Sequence, residues 1–158
     1  MFDWRWDFAF EILPRLLQAT LNTLAAAGIG YGIAVVLGLV FALAQRTPSR
    51  FVTLVVRECV EFIRSTPLVL QIFFVFFVGP QFGIRLSPWV AGMIAIGLHY
   101  SAYLSEVYRG GLEAVPKGQW EACTALNLST TKTYFRVIIP QALPPSLAGM
   151  GNYLVGIF

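Results

Sequence analysis

From Leu16 to Ala44 the chain reads LLQATLNTLAAAGIGYGIAVVLGLVFALA, without one charged side chain. That run exceeds the ~20 apolar residues a helix needs to cross a bilayer. A soluble domain could hide such a helix only under a well-charged shell. Here charged residues make up 12% of the chain, against about 25% in soluble domains. Lipid must therefore cover much of the surface. Eleven Lys and Arg against eight Asp and Glu give a formal charge of +3, a mild excess that suits basic cytoplasmic loops. A nucleic-acid surface would need clustered charge, so nucleic acid is not an expected partner.

Other spans are read from further runs of low charge. The first run ends at QRTPSR, and its Gly28 and Gly32 form a small-xxx-small pair predicted to admit a second helix. A charged amphipathic lead-in, VVRECVEFIR, precedes the apolar stretch Ser65–Ile84. A third run follows SPW, where Ser87 can cap a helix whose first residue is Pro88. The last begins at Val137, is predicted to break at Pro140 and at Pro144–Pro145, and reaches the final residue. The expected spans are about 16–44, 54–79 and 88–112, with the start of another at about 143–158. The fold class predicted is an all-α integral membrane protein, a multi-span helical bundle. The ending YLVGIF has no polar flank or cap, so truncation at the C-terminus is expected.

Orientation follows from eight basic residues against three. Arg46, Arg50, Arg57, Arg64, Arg109, Lys117, Lys132 and Arg136 fall on one side, and Arg5, Arg15 and Arg85 on the other. The larger group belongs in the cytoplasm, which puts the N-terminus outside and Trp4, Trp6 and Trp89 at the outer interface. The N-terminal MFDWRWDFAFEILPRLL lacks the basic-then-apolar order of a cleavable signal. Cys59 and Cys123 match no metal spacing and are expected as free thiols.

The polar stretch GQWEACTALNLSTTKTYFRVIIPQALPP interrupts this pattern. Pro116 and Gly118 are predicted to end the preceding helix, and QWEACTAL to form about two turns with Ala122, Ala125 and Leu126 on one face. Asn127 tolerates the left-handed conformation that ends a helix, and Ser129 is a good N-cap for TTKTYFRVII. Helix, left-handed turn and helix is the local expectation. An ordinary interfacial loop and a docking element both fit it.

The stretch resembles the EAA loop of ABC-transporter permease subunits, a pattern of E-A-A, three residues, Gly, nine residues, then I-x-L-P. Glu121, Ala122 and Pro140 are identical to it and Val137 and Ile139 conservative, while Cys123 and Asn127 depart from Ala and Gly. Upstream, EFIRSTPLVLQIFF and AYLSEVYRGGLEAVPKGQWEA are similar to segments of permeases for polar amino acids. EACTALNLS looks most like permeases for ectoine and hydroxyectoine.

The resemblance implies the type I importer permease fold and an uptake system for a polar amino acid or compatible solute in the inner membrane. It also implies a coupling loop over about 117–140, whose Gln119, Glu121, Ala122, Cys123, Ala125, Leu126 and Asn127 dock an ATP-binding cassette subunit. A substrate-binding protein outside and a second permease subunit, in a homo- or heterodimer, complete the implied assembly. ATP and magnesium would belong to the partner. This chain has no Walker A pattern, no metal spacing and no convergent catalytic groups, so no catalytic residue, bound cofactor or enzymatic activity is expected of it.

In the third span His99, Tyr103 and Glu106 share one helix face, and Gln71 lies in the second. Ionisable groups at membrane depth face a bundle interior or a wet cavity. These four could line the substrate path. Alternatively Glu106 pairs with Arg109 or Arg64 as an inner gate, and His99 bonds a neighbouring helix. Arg57, Glu58, Glu61 and Arg64 are read as an ion-paired cytoplasmic turn. A channel or secondary transporter not coupled to an ATPase could share the spans, but would have no use for a docking loop.

Overall fold

A computed structural model describes residues 5–158, and its regular elements are all helical. Trp4 lies outside the described residues. Helix α1, Trp6–Ala44, starts well before Leu16 and carries Pro14 inside its first third. At 1.5 Å per residue its 39 residues extend for about 58 Å, longer than a hydrocarbon core.

Helix α4, Pro88–Glu113, is the central element, packed along α1 and also against the later helices. Its start follows the sequence: Pro88 is the first helical residue, and Ser87 Oγ accepts the Val90 N–H at 3.3 Å. Its buried positions are nearly all small, including Ala91, Ala95, Gly97, Ser101 and Ser105. Facing them, α1 buries Gly30, Ala34, Gly38 and Ala42 at a spacing of four. A methyl group added at Gly38 would lie 2.9 Å from Leu104 Cβ and 2.9 Å from the Ser101 carbonyl. Gly28 and Gly32, the pair expected to receive a helix, meet nothing within 4 Å. Both stripes have the same residue types and spacing, so the helix that chooses between them is a tertiary fact.

The spans differ from expectation in three respects. Among the described residues α1 alone is long and apolar enough to cross a membrane unaided. Helix α4 falls short because its apolar residues are interspersed with His99, Ser101, Ser105 and several tyrosines and glycines. The expected second span at 54–79 is not one straight helix. Amphipathic α2, Arg50–Ser65, stops at Pro67, and α3, Leu68–Phe73, leaves at 106° before continuing as a π turn to Val78 and a 3-10 turn to Phe82. Proline disfavours helical geometry in the residue before it, and Thr66 is extended at φ −104°, ψ 129°.

Third, the C-terminal prolines do not break the last helix. Helix α5, Lys117–Ala125, is followed by a short α6, Thr130–Lys132, a π segment Thr133–Ile138, and α7, Ile139–Gly156. Pro140 stands where α7 follows directly on the π segment, and Pro144 and Pro145 are carried inside. Large apolar side chains such as Leu21, Val36, Phe74 and Phe77 point outward, as a lipid-facing surface requires.

Candidate functional site: an elbow and a tyrosine-lined interior

Helix α5 starts directly after Pro116, whose carbonyl accepts the Gln119 N–H at 2.9 Å; Gly118 lies inside the helix rather than breaking it. At its other end Asn127 has φ 51°, the one non-glycine residue with positive φ among those described. The Asn127 N–H donates to the Thr124 carbonyl at 2.9 Å and the Leu128 N–H to the Cys123 carbonyl at 3.0 Å. These are the two bonds of a Schellman motif, so Asn127 takes the place usually held by Gly. Ser129 occupies the next N-cap position, but its hydroxyl makes no capping bond.

The elbow has an inner and an outer face. Inside, Trp120 packs on a core of Val115, Ile138 and Ala142, its ring edge-on to Tyr134 at 5.4 Å and under the Arg46 guanidinium at 5.7 Å. Gln141 Nε2 donates to Gln119 Oε1 at 3.3 Å, a second brace. Cys123, expected on the docking surface, is 3% exposed and so does not lie on that surface. Outside, Glu121, Ala122, Ala125 and Leu126 are exposed, Leu126 at 73%. Glu121, Thr124 and Asn127 edge a hollow of about 710 Å³ in the crook between α5 and α6. Trp120, Arg46 and Tyr134 were not anticipated, because their contact joins residues far apart in sequence.

The path candidates separate into two groups. His99, Tyr100, Tyr103 and Tyr153 form one aromatic cluster, with His99–Tyr103 centroids at 5.1 Å and Tyr103–Tyr153 at 5.3 Å. The Arg64 guanidinium lies 5.3 Å from the Tyr103 ring. His99 Nδ1 is buried without a hydrogen-bond partner, so no bond from it to a neighbouring helix forms. Glu106 belongs to a different unit: Arg109 bonds it at 2.7 Å and also bonds Glu113 at 2.7 Å. Arg64 approaches Glu61 at 3.6 Å. Arg57 does not complete the i, i+4 pair expected with Glu61.

Four tyrosines donate to backbone carbonyls of neighbouring helices. Tyr31 OH donates to Met150 O at 2.9 Å, Tyr108 OH to Val35 O at 3.3 Å and Tyr100 OH to Gly156 O at 2.8 Å. Tyr103 OH donates to Arg64 O at 3.2 Å. At the α2–α3 corner Gln71 Nε2 reaches Ile63 O at 2.8 Å and Thr66 O at 3.1 Å. Helix ends leave carbonyls without intrahelical partners, and in lipid each costs several kcal/mol if unmet. Gln71 thus closes the corner with its amide nitrogen, while its Oε1 remains buried and unpartnered.

The chain and its fold match known proteins. Residues 34–158 match the family described as "Binding-protein-dependent transport system inner membrane component". The chain is 44% identical to the "Probable amino-acid ABC transporter permease protein y4tG" of Sinorhizobium fredii, over 99% of this chain and 71% of that protein. It is 34% identical to the "L-cystine transport system permease protein TcyB" of Bacillus subtilis, over 96% of this chain and 65% of that one. Among solved structures, a crystal structure of an amino acid ABC transporter with histidines superimposes with a TM-score of 0.91 at 29% identity, covering 99% of this chain and 73% of that chain.

Proposed function

This chain belongs to the family of inner membrane components of binding-protein-dependent transport systems, non-catalytic permease subunits, and from that premise we propose an amino-acid importer driven through the α5 elbow. Membership implies an ATP-binding subunit and a substrate-binding protein as partners, and sets aside an uncoupled carrier or channel. The observation that carries the coupling role is the Schellman-closed elbow, which holds Glu121, Ala122, Ala125 and Leu126 outward on a helix braced by Trp120. A short helix fixed at both ends passes displacement on rather than absorbing it. In this reading ATP and magnesium are used by the partner, and the permease works as a homo- or heterodimer. The N-terminus lies outside and the elbow in the cytoplasm, in keeping with the basic residues near it.

The substrate in this reading is a polar amino acid or a related compatible solute. The tyrosine cluster with Arg64 suits it, because the guanidinium can meet a carboxylate and aromatic faces can meet an ammonium group. His99 Nδ1 and Gln71 Oε1 supply polar atoms with no partner of their own. Ectoine or hydroxyectoine is the finer possibility, carried by EACTALNLS alone. Cys123 and Asn127 of that segment lie in the elbow, so they speak to coupling rather than to substrate chemistry.

Co-expression with the ATP-binding subunit tests the coupling role. Wild type should be retained with it on purification, and Glu121→Lys should weaken retention or let ATP hydrolysis run without uptake. Full coupled uptake by that variant would remove Glu121 from the contact. For the substrate, competition against labelled ectoine by Arg, Gln and hydroxyectoine decides the branch. Competition by Arg or Gln with none by hydroxyectoine sinks the ectoine reading.

A further inference from the structure

Where α1 turns into α2, donors outnumber acceptors. The last turn of α1, the face of α2 and the end of α4 enclose a hollow of about 520 Å³ lined by Arg46, Arg57, Arg64 and Arg109 with Glu61, Glu106 and Glu113. Four guanidiniums against three carboxylates leave one positive charge over, and it is unevenly placed. Arg109 is held by Glu106 and Glu113, and Arg64 by Glu61. Among the described residues Arg57 has no carboxylate at ion-pairing distance, and Arg46 meets only the ring of Trp120. Gln45 Nε2 and Arg64 Nε line the same hollow, buried and without an acceptor. Each of these is a donor, so the ligand that suits them is rich in acceptors and negatively charged.

A second hollow, about 260 Å³, adjoins the first through Thr53 and Arg57 and is edged by Arg50 and Leu54. Beside it Phe51 is 76% and Leu54 57% exposed. Basic residues on one side of α2 and large apolar ones on the other mark a helix lying in a bilayer interface. A free anion would answer the donors but leave Phe51 and Leu54 against water. A phospholipid answers both, and basic pockets beside membrane helices commonly hold acidic headgroups.

We propose that the α1–α2 corner binds an anionic phospholipid, its phosphate taken by Arg46, Arg57 and the Gln45 amide and its acyl chains lying along Phe51 and Leu54. The site is separate from the elbow's outer face and touches the tyrosine cluster only through Arg64, which the proposed phosphate contacts do not use, and its occupancy can be read without transport.

The test is thermal unfolding of the purified transporter supplemented with phosphatidylglycerol, phosphatidylcholine or inorganic phosphate. Phosphatidylglycerol should raise Tm beyond phosphatidylcholine, in proportion to its mole fraction. The double variant Arg46→Gln/Arg57→Gln should lose that increment, while Arg85→Gln, which removes an exposed arginine outside both hollows, should keep it. Equal rises with the two lipids, or an undiminished rise in the double variant, would overturn the proposal. So would a full rise with inorganic phosphate alone, which would make the corner a site for soluble anions.

Discussion

The Leu128 N–H reaches back to the Cys123 carbonyl at 3.0 Å, and the bond closes only because Asn127 between them is left-handed at φ 51°. The shape of the elbow therefore hangs on one backbone conformation.

Asn127→Gly should leave coupling and stability nearly unchanged, since Gly adopts this conformation freely. Asn127→Val should cost about 1–2 kcal/mol, because a Cβ-branched residue clashes there. ATP hydrolysed per substrate imported, measured in vesicles, should rise for the Val variant only. Matching ratios for Val and wild type would mean that the bend is not set here.

Gly38→Ile should destabilise the bundle by about 1–3 kcal/mol through overpacking against Leu104 and Ser101. Gly28→Ala and Gly32→Ala should leave the isolated chain's unfolding temperature in place, as neither meets a neighbour. If all three behave alike, α1 does not pack on α4 through the 30–34–38–42 stripe.

Gln71→Leu should cost about 1–3 kcal/mol, the penalty for leaving the Thr66 carbonyl without a donor, while the Ile63 carbonyl keeps the Thr66 N–H at 3.3 Å. Tyr103→Phe removes the bond to Arg64 but keeps the ring, and about 1 kcal/mol is expected. Thermal unfolding separates these losses from a change in apparent substrate affinity, which a role in the path would add.

Cys59 is exposed and Cys123 buried, so a membrane-impermeant maleimide applied to open membranes should label Cys59 and spare Cys123 until the protein unfolds. Equal labelling of the two thiols in the native protein would place Cys123 on the outer surface of the elbow.

Arg109→Gln strands two carboxylates, of which Glu106 is the less exposed at 26%. Because the arginine itself is 42% exposed, screening limits the loss to roughly 1 kcal/mol, and added salt should shrink it further. A loss that ignores ionic strength would argue that Arg109 acts by packing alone.

The elbow was legible in sequence because its determinants are local: Asn127 follows α5 immediately, and the Glu121–Pro140 spacing lies within one stretch. The Ser87–Pro88 start of α4 was legible for the same reason. Pro67 marks a kink by its residue type, but the 106° angle was not legible, since it depends on where the corner's carbonyls find partners. Gln71 supplies one from within the corner and Tyr103 another from across the fold. The choice of Gly30 and Gly38 over Gly28 and Gly32 depends on the rotation of α1 about its own axis, which only α4 fixes. Tyr153 joins the aromatic cluster from a helix far along the chain and leaves no trace in the local pattern.

The proline-rich helix α7 has a mechanical consequence. From the π segment to Gly156 the chain has no break, so the elbow and the Tyr100–Gly156 bond sit at two ends of one strut. The 18 residues of α7 alone span about 27 Å. Pro140, Pro144 and Pro145 each lack the amide that would tie one turn to the turn before it. Such a strut resists compression along its axis yet yields to bending, and most easily on the side where those ties are missing. Under the proposed coupling role, a shove delivered at Glu121 would be carried inward at nearly full length, and what would vary at the far end is the direction in which Tyr100 and its neighbours are turned.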